Sequence, residues 1–187
     1  MKFLIGGFIA IVAIVGLFWL FSDNTPKNTP SRTTSSFTNP TAPSYKQLEV
    51  GSKAPEFNVR TVDGNDLSSS SLQGKIVVLT SGAAWCPTCV IENKNFGPVY
   101  DEVKNKDVEF ITVDIDPIDD AVAIKEFQKR YAPWHNVEQK QAEQLIEDYG
   151  FIRFEITYII DRDGTIKFRD SQITETETLR EELEKLI

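Results

Sequence analysis

The sequence predicts an α/β fold: a mixed β-sheet flanked by helices, with an N-terminal β-hairpin, preceded by one transmembrane helix. Three observations support this. An apolar run, Ile76-Val77-Val78-Leu79, leads into Ala84-Trp85-Cys86-Pro87-Thr88-Cys89 and then into a helical pattern. Beyond it the apolar periodicity alternates βαβα and then ββα, the order of a sheet covered by helices on both faces. At the amino terminus, residues 3–21 carry no charge.

Those 19 residues would span about 28 Å as a helix, close to the ~30 Å hydrocarbon core of a bilayer. The run exceeds a signal-peptide core, and no small-x-small cleavage site follows Trp19-Leu20-Phe21-Ser22. With no cysteine nearby to carry a lipid, residues 1–21 read as an uncleaved signal-anchor, with Trp19 at its interface. Lys2 and the amino terminus face Lys27, Arg32 and Lys46 across it, so charge bias says little about orientation. The layout of short tail, anchor, linker and domain favours a single-pass protein with its domain extracytoplasmic. In the linker, residues 22–44, 18 of 23 residues are Ser, Thr, Pro or Asn, too little apolar surface to repay the entropy of folding.

Residues 45–187 are long enough for one buried core. They keep 27 of the 28 acidic and 17 of the 20 basic residues, a net charge of −10. No basic surface is left to neutralise phosphates, so no nucleic-acid partner is expected.

Within this domain Phe57, Val59 and Thr61 alternate before Asp63-Gly64, a hairpin turn signal. An irregular second arm covers residues 67–72, and the apolar strand covers residues 76–80. A helix over residues 90–105 places Phe96, Val99, Tyr100 and Val103 on one face, with Pro98 expected to kink it. Residues 108–115 read as a strand, and Ile124, Phe127 and Tyr131 mark a helix from about residue 121. A shorter helix over residues 141–149 ends at Gly150, followed by a strand over residues 154–160. Asp161-Arg162-Asp163-Gly164 turns into an antiparallel partner over residues 166–169. Thr174 and Glu177 have capping-box spacing for a last helix carrying Leu179, Leu183, Leu186 and Ile187.

The chemistry centres on the chain's two cysteines. A strand-to-helix junction puts Cys86 at a helix N-terminus, where unpaired N–H groups and the helix dipole favour a thiolate. Cys89, one turn further in, is placed to resolve a mixed disulfide formed by Cys86. Zinc needs about four ligands, and the chain offers only His135, 46 residues beyond Cys89, so no metal site is expected. A purely structural bridge would close too short a loop to constrain the unfolded chain. Redox chemistry of the Cys86–Cys89 disulfide, with no other cofactor, is the favoured reading, and Cu(I) binding by two thiolates is a minor one.

With these elements in this order, the domain resembles the thioredoxin fold. More narrowly, it is similar to the TlpA/ResA-like membrane-anchored thiol–disulfide oxidoreductases. The likeness spans roughly residues 50–169 and rests on Gly51-Ser52-Lys53-Ala54-Pro55-Glu56-Phe57, Asp63-Gly64, Leu72-Gln73-Gly74-Lys75, Tyr149-Gly150 and Ile159-Ile160-Asp161-Arg162-Asp163-Gly164. It implies that Cys86 and Cys89 are catalytic and that Trp85, Pro87 and Thr88 form their surroundings. It also implies that Glu92 lies near them and tunes their proton affinity. Protein thiols and disulfides would be the substrates, commonly apocytochrome c or copper-site cysteines. A DsbD/CcdA-type membrane protein would supply electrons.

The chain departs from that pattern in three places. The strand before the motif ends in Thr80-Ser81-Gly82-Ala83 where aromatic residues are usual, and Thr80 occupies a position often held by a buried acid or Asn. Counting without gaps from Gly150 to Asp161 puts Glu155 where thioredoxins carry a cis-proline facing the disulfide. A cis bond before a non-proline residue costs about 2.5–4 kcal/mol, so a trans Phe154–Glu155 bond is expected. Glu155 either turns outward on a rebuilt loop or alters docking and proton handling, and the sequence leaves both open. Two other functions share the fold. A thiol peroxidase would carry Thr or Ser where this chain has Ala83, and an SCO-like copper chaperone would use Cys-x-x-x-Cys with a histidine such as His135.

Overall fold

The computed structural model describes residues 46–187; the expected anchor at residues 1–21 and linker at residues 22–44 lie outside the described residues. Among the described residues, no helix is long and apolar enough to cross a membrane.

The expected hairpin pairs β1 (Asn58–Arg60) antiparallel with β2 (Asp66–Ser68), burying Val59 opposite Leu67. Gly64 turns the corner at φ 88°, a region that glycine enters without steric cost. The last three residues of the four-serine run that follows form, with Leu72, a 3₁₀ turn, Ser69–Leu72, closed by reciprocal capping between Ser68 and Ser71. It ends by burying Leu72 under the hairpin.

The main sheet has five strands in the order β5-β4-β3-β6-β7. At its centre lies β3 (Ile76–Gly82), buried at every position because it has neighbours on both edges and layers on both faces. It runs parallel to β4 (Val108–Asp114), which in turn runs parallel to β5 (His135–Val137). On its other edge β6 (Thr157–Ile160) is antiparallel, and β7 (Ile166–Asp170) is antiparallel to β6.

Strand alternation sorts the core into two layers. Val77, Leu79, Ile111, Val113 and Tyr158 meet the hairpin and α3 (Glu143–Asp148) through Val59 and Leu145. Ile76, Val78, Phe110 and Ile159 meet the opposite layer, formed by α1 (Pro87–Val103), α2 (Ala121–Tyr131) and α4 (Thr176–Glu184). Phe96, Phe127 and Leu179 are the main contributions of those helices. Both parallel crossovers, through α1 and α2, lie on this one face, as right-handed connections moving the same way across a sheet require.

Several sequence expectations need correction. The helix after the cysteines starts at Pro87, three residues earlier than expected, because the missing proline N–H is no loss in a first turn. The short edge strand β5 was not anticipated; three residues carry no usable period, and it exists through pairing with β4. Residues 139–141 form a separate 3₁₀ turn before α3. The strand expected over residues 154–160 begins only at Thr157, because Glu155 adopts φ 58°. The capping box does not form. Glu175 takes the cap position without a side-chain bond, while Thr174 is fully buried and donates its N–H to Glu92.

Candidate active site

The sequence Trp85-Cys86-Pro87-Thr88-Cys89 sits where β3 ends and α1 begins. Cys86 is the N-cap of α1, and its sulfur accepts the N–H of Cys89 at 3.2 Å. The two cysteines form a disulfide with Cα atoms 5.2 Å apart. Cys86 is 3% exposed and Cys89 is fully buried, so an incoming sulfur meets Cys86 first. Pro87 and Thr88 are exposed at the mouth.

Trp85 is 59% exposed, with its ring edge-on to Phe154 at 5.6 Å and its indole N–H donated to Asp116 at 2.8 Å. That geometry fixes a large apolar surface beside the disulfide. Ile152, on the loop that also carries Phe154, adds a second exposed apolar side chain.

That loop presents Glu155. No described peptide bond is cis, as expected before a residue other than proline. The carboxylate turns inward: Oε1 stands 3.6 Å from the sulfur of Cys86 and 3.7 Å from that of Cys89. Sulfurs in a disulfide have no hydrogen to donate, so these are contacts and not hydrogen bonds. The hydroxyl of Thr88 donates to the same carboxylate oxygen and lies 3.1 Å from the Cys86 sulfur.

The buried end of β3 holds the loop in place. Ser81 pairs with Ile156 through its N–H at 3.0 Å and accepts the Glu155 N–H on its carbonyl at 2.9 Å. Its hydroxyl donates to the Arg153 carbonyl and accepts the Ile156 N–H. These four bonds position a residue at positive φ, where a non-glycine residue is uncommon. Polar Thr80-Ser81 at the end of an apolar strand was the sequence signal for such a clamp.

Glu92 lies on α1, one turn past Cys89, with its side chain fully buried. Thr80, Thr157 and the Thr174 N–H all donate to its carboxyl group. Burial is the main cause that pushes its pKa up to about 8, with a smaller contribution from the Glu155 charge, against the lowering effect of those hydrogen bonds. The group is therefore a neutral acid at pH 7.

Asp114 and Asp119 escaped the sequence reading. The carboxylate of Asp114, at the end of β4, accepts the Ala84 N–H at 2.9 Å, and Asp119 accepts it at 2.8 Å. Burial and the adjacent Asp119 push the pKa of Asp114 up. An aspartate closing a largely buried strand, after the apolar Val113, was the available signal. His135 stands elsewhere, in register with Ile111 and 3.3 Å from Glu109. It holds that carboxylate at about 2, with help from Lys75. Ala83, three residues before Cys86, is buried and carries no hydroxyl.

Fold and site together define a thioredoxin-fold protein with an active-site disulfide at a helix N-terminus. The chain belongs to the AhpC/TSA family, which it matches over residues 50–169. It is 30% identical over 142 residues to the thiol-disulfide oxidoreductase ResA of Bacillus thuringiensis subsp. konkukian, covering 76% of this chain and 79% of that one. The ResA of Bacillus anthracis is 30% identical over 121 residues, 65% of this chain and 69% of that one. The thioredoxin domain of a thiol-disulfide oxidoreductase from Bacteroides vulgatus superposes with a TM-score of 0.63 at 24% identity. That match covers 74% of this chain and 98% of the solved one, and it shows the shared fold. The protein is an enzyme of the thiol–disulfide oxidoreductase class.

Proposed function

We propose that the enzyme reduces disulfides of protein substrates on the outer side of a membrane to which residues 3–21 anchor it. The Cys86 thiolate attacks one sulfur of the substrate disulfide and expels the other as a thiol. The Cys89 thiolate then attacks the Cys86 sulfur, which releases the second substrate thiol and leaves the Cys86–Cys89 disulfide. Two electrons and two protons pass to the substrate. A DsbD/CcdA-type membrane donor would restore the dithiol. Cysteines of apocytochrome c or of copper-site proteins are the substrate class that the ResA-like resemblance favours.

The observation that carries this reading is the asymmetry of the pair: one sulfur at a helix N-terminus with slight access, the other sealed beneath it. Trp85 and Ile152 supply an apolar rim for an extended substrate segment. Glu92, a buried neutral acid below pH 8 in the oxidised enzyme, is the residue to which the ResA-like resemblance assigns tuning of the pair's proton affinity.

Equilibration with a defined thiol–disulfide buffer, read by alkylation of Cys86 and Cys89, tests the direction. A reductant should fall near the thioredoxin end of the family's range, at about −220 mV or below. A value near about −120 mV would mark an oxidant and overturn the proposed direction.

A further inference from the structure

We propose that reduction of Cys86–Cys89 opens a zinc site whose third ligand is Glu155. Counted over cysteine and histidine alone, the chain falls short of a zinc site. The fold adds a carboxylate from a residue 66 positions beyond Cys89. Among the described residues, Cys86, Cys89 and Glu155 bring one donor atom each to within 4.8 Å of one another.

The distances suit the ion. Zinc binds thiolate sulfur at about 2.3 Å and carboxylate oxygen at about 2.0 Å, so a tetrahedral site has sulfur–oxygen edges of about 3.5 Å. Glu155 Oε1 already stands 3.6 Å and 3.7 Å from the two sulfurs. Only the sulfur–sulfur edge must open, from a covalent bond to about 3.8 Å. Reduction breaks that bond. In the oxidised enzyme the sulfurs are spent on each other and no thiolate exists to bind metal, so the site is redox-gated.

Two further features favour a cation here. Glu155 is held toward the sulfurs at positive φ by the Ser81 clamp and by Thr88, and a long acidic side chain gains nothing from that backbone by itself. Among the described residues, no Lys, Arg or His forms an ion pair with its carboxylate. Ionising both thiols beside it would gather three negative charges without a counter-ion, which a dication largely neutralises. An oxygen donor beside two sulfurs suits borderline Zn²⁺ better than Cu(I), which prefers soft ligands only. The fourth position is left to water or an added ligand, as in zinc sites that exchange ligands. Binding releases the two thiol protons to solvent and moves no electrons. A zinc-loaded pair has no free nucleophile, so the metal should reversibly block disulfide exchange.

The inference requires only that the pair be reducible, and it is testable apart from exchange activity. Full-length protein in detergent would be reduced with a phosphine, freed of reductant without oxygen, and titrated with Zn²⁺ against a chromophoric chelator. Co²⁺ would serve as the spectroscopic probe of thiolate ligation. One equivalent should bind to the reduced protein and none to the oxidised protein, with thiolate-to-cobalt charge transfer in the reduced form alone. Cys86→Ser should abolish competition with the chelator. Glu155→Gln should weaken binding at least tenfold, with its folding checked by thermal melting. Glu155→Asn, which tolerates positive φ and lacks a carboxylate, should lose as much if the glutamine variant misfolds. Equal binding to oxidised protein, no binding to reduced protein, or wild-type affinity in the folded Glu155 variants would each overturn the site. Disulfide reduction assayed with chelator present scores the exchange reading independently.

Discussion

Replacing Glu92 with Gln should stabilise the oxidised enzyme, by an amount that grows with pH. The carboxyl group has its usual value of 4.5 in the unfolded chain and about 8 in the folded one. Below about pH 4 both states hold the proton and Glu92 costs nothing. As pH rises past 4.5 the unfolded state releases its proton while the folded state keeps it. Folding then loses about 1.4 kcal/mol per pH unit. The penalty reaches about 3 kcal/mol at pH 7 and levels near about 5 kcal/mol above pH 8, where the folded state ionises as well. Burial removes the solvent screening that would shrink these figures at a surface. Glutamine keeps the volume: its oxygen still accepts from the Thr157 hydroxyl and the Thr174 N–H, and rotation of the Thr80 hydroxyl lets it accept an amide hydrogen. Urea unfolding of oxidised wild type and Glu92→Gln at pH 4, 5.5, 7 and 8.5 gives the difference directly, since all other titrations cancel. A difference independent of pH, or a variant less stable at pH 8.5, would refute the buried neutral acid.

Other outcomes follow from the same geometry. Cys89→Ser should accumulate mixed disulfides with partner proteins on non-reducing gels and Cys86→Ser few or none; trapping through Cys89 alone would reverse the assignment of nucleophile. Glu155→Gln should speed alkylation of Cys86 at neutral pH by up to ~10-fold, because it removes a negative charge that disfavours the thiolate. Superimposable pH–rate curves would show that the carboxylate does not act on Cys86. Ser81→Ala should cost about 1–3 kcal/mol in urea unfolding, because it strips buried partners from the Arg153 carbonyl and the Ile156 N–H. Full-length protein should sediment with membranes and retain Met1 or Lys2 at its mature terminus; soluble protein starting near Ser22 would show a cleaved signal.

Local pattern alone was enough to place the site in the fold. An apolar run ending at Cys-Pro-x-Cys before a helical period places Cys86 at a helix N-terminus, because those constraints act within a few residues of one another, and the structure makes it the N-cap. The alternation of strand and helix likewise determined the layers, since burial imposes its period along each segment. Orientation of Glu155 lay beyond such reasoning. Its backbone is set by Ser81, 74 positions earlier in the chain, and its side chain by Thr88. Thr174 has the spacing of a helix cap but donates its N–H to Glu92, 82 positions away, because an N–H donor beside a buried carboxyl group contributes more than one at an exposed helix end. β5 exists only as an addition to the edge of β4. The sequence by itself determined which segments alternate as strand and helix and that the cysteine pair stands at a helix start. Tertiary structure decided that the Glu155 carboxylate meets the sulfurs and that burial raises the pKa of Glu92, because desolvation and long-range contacts arise only once distant segments close over them.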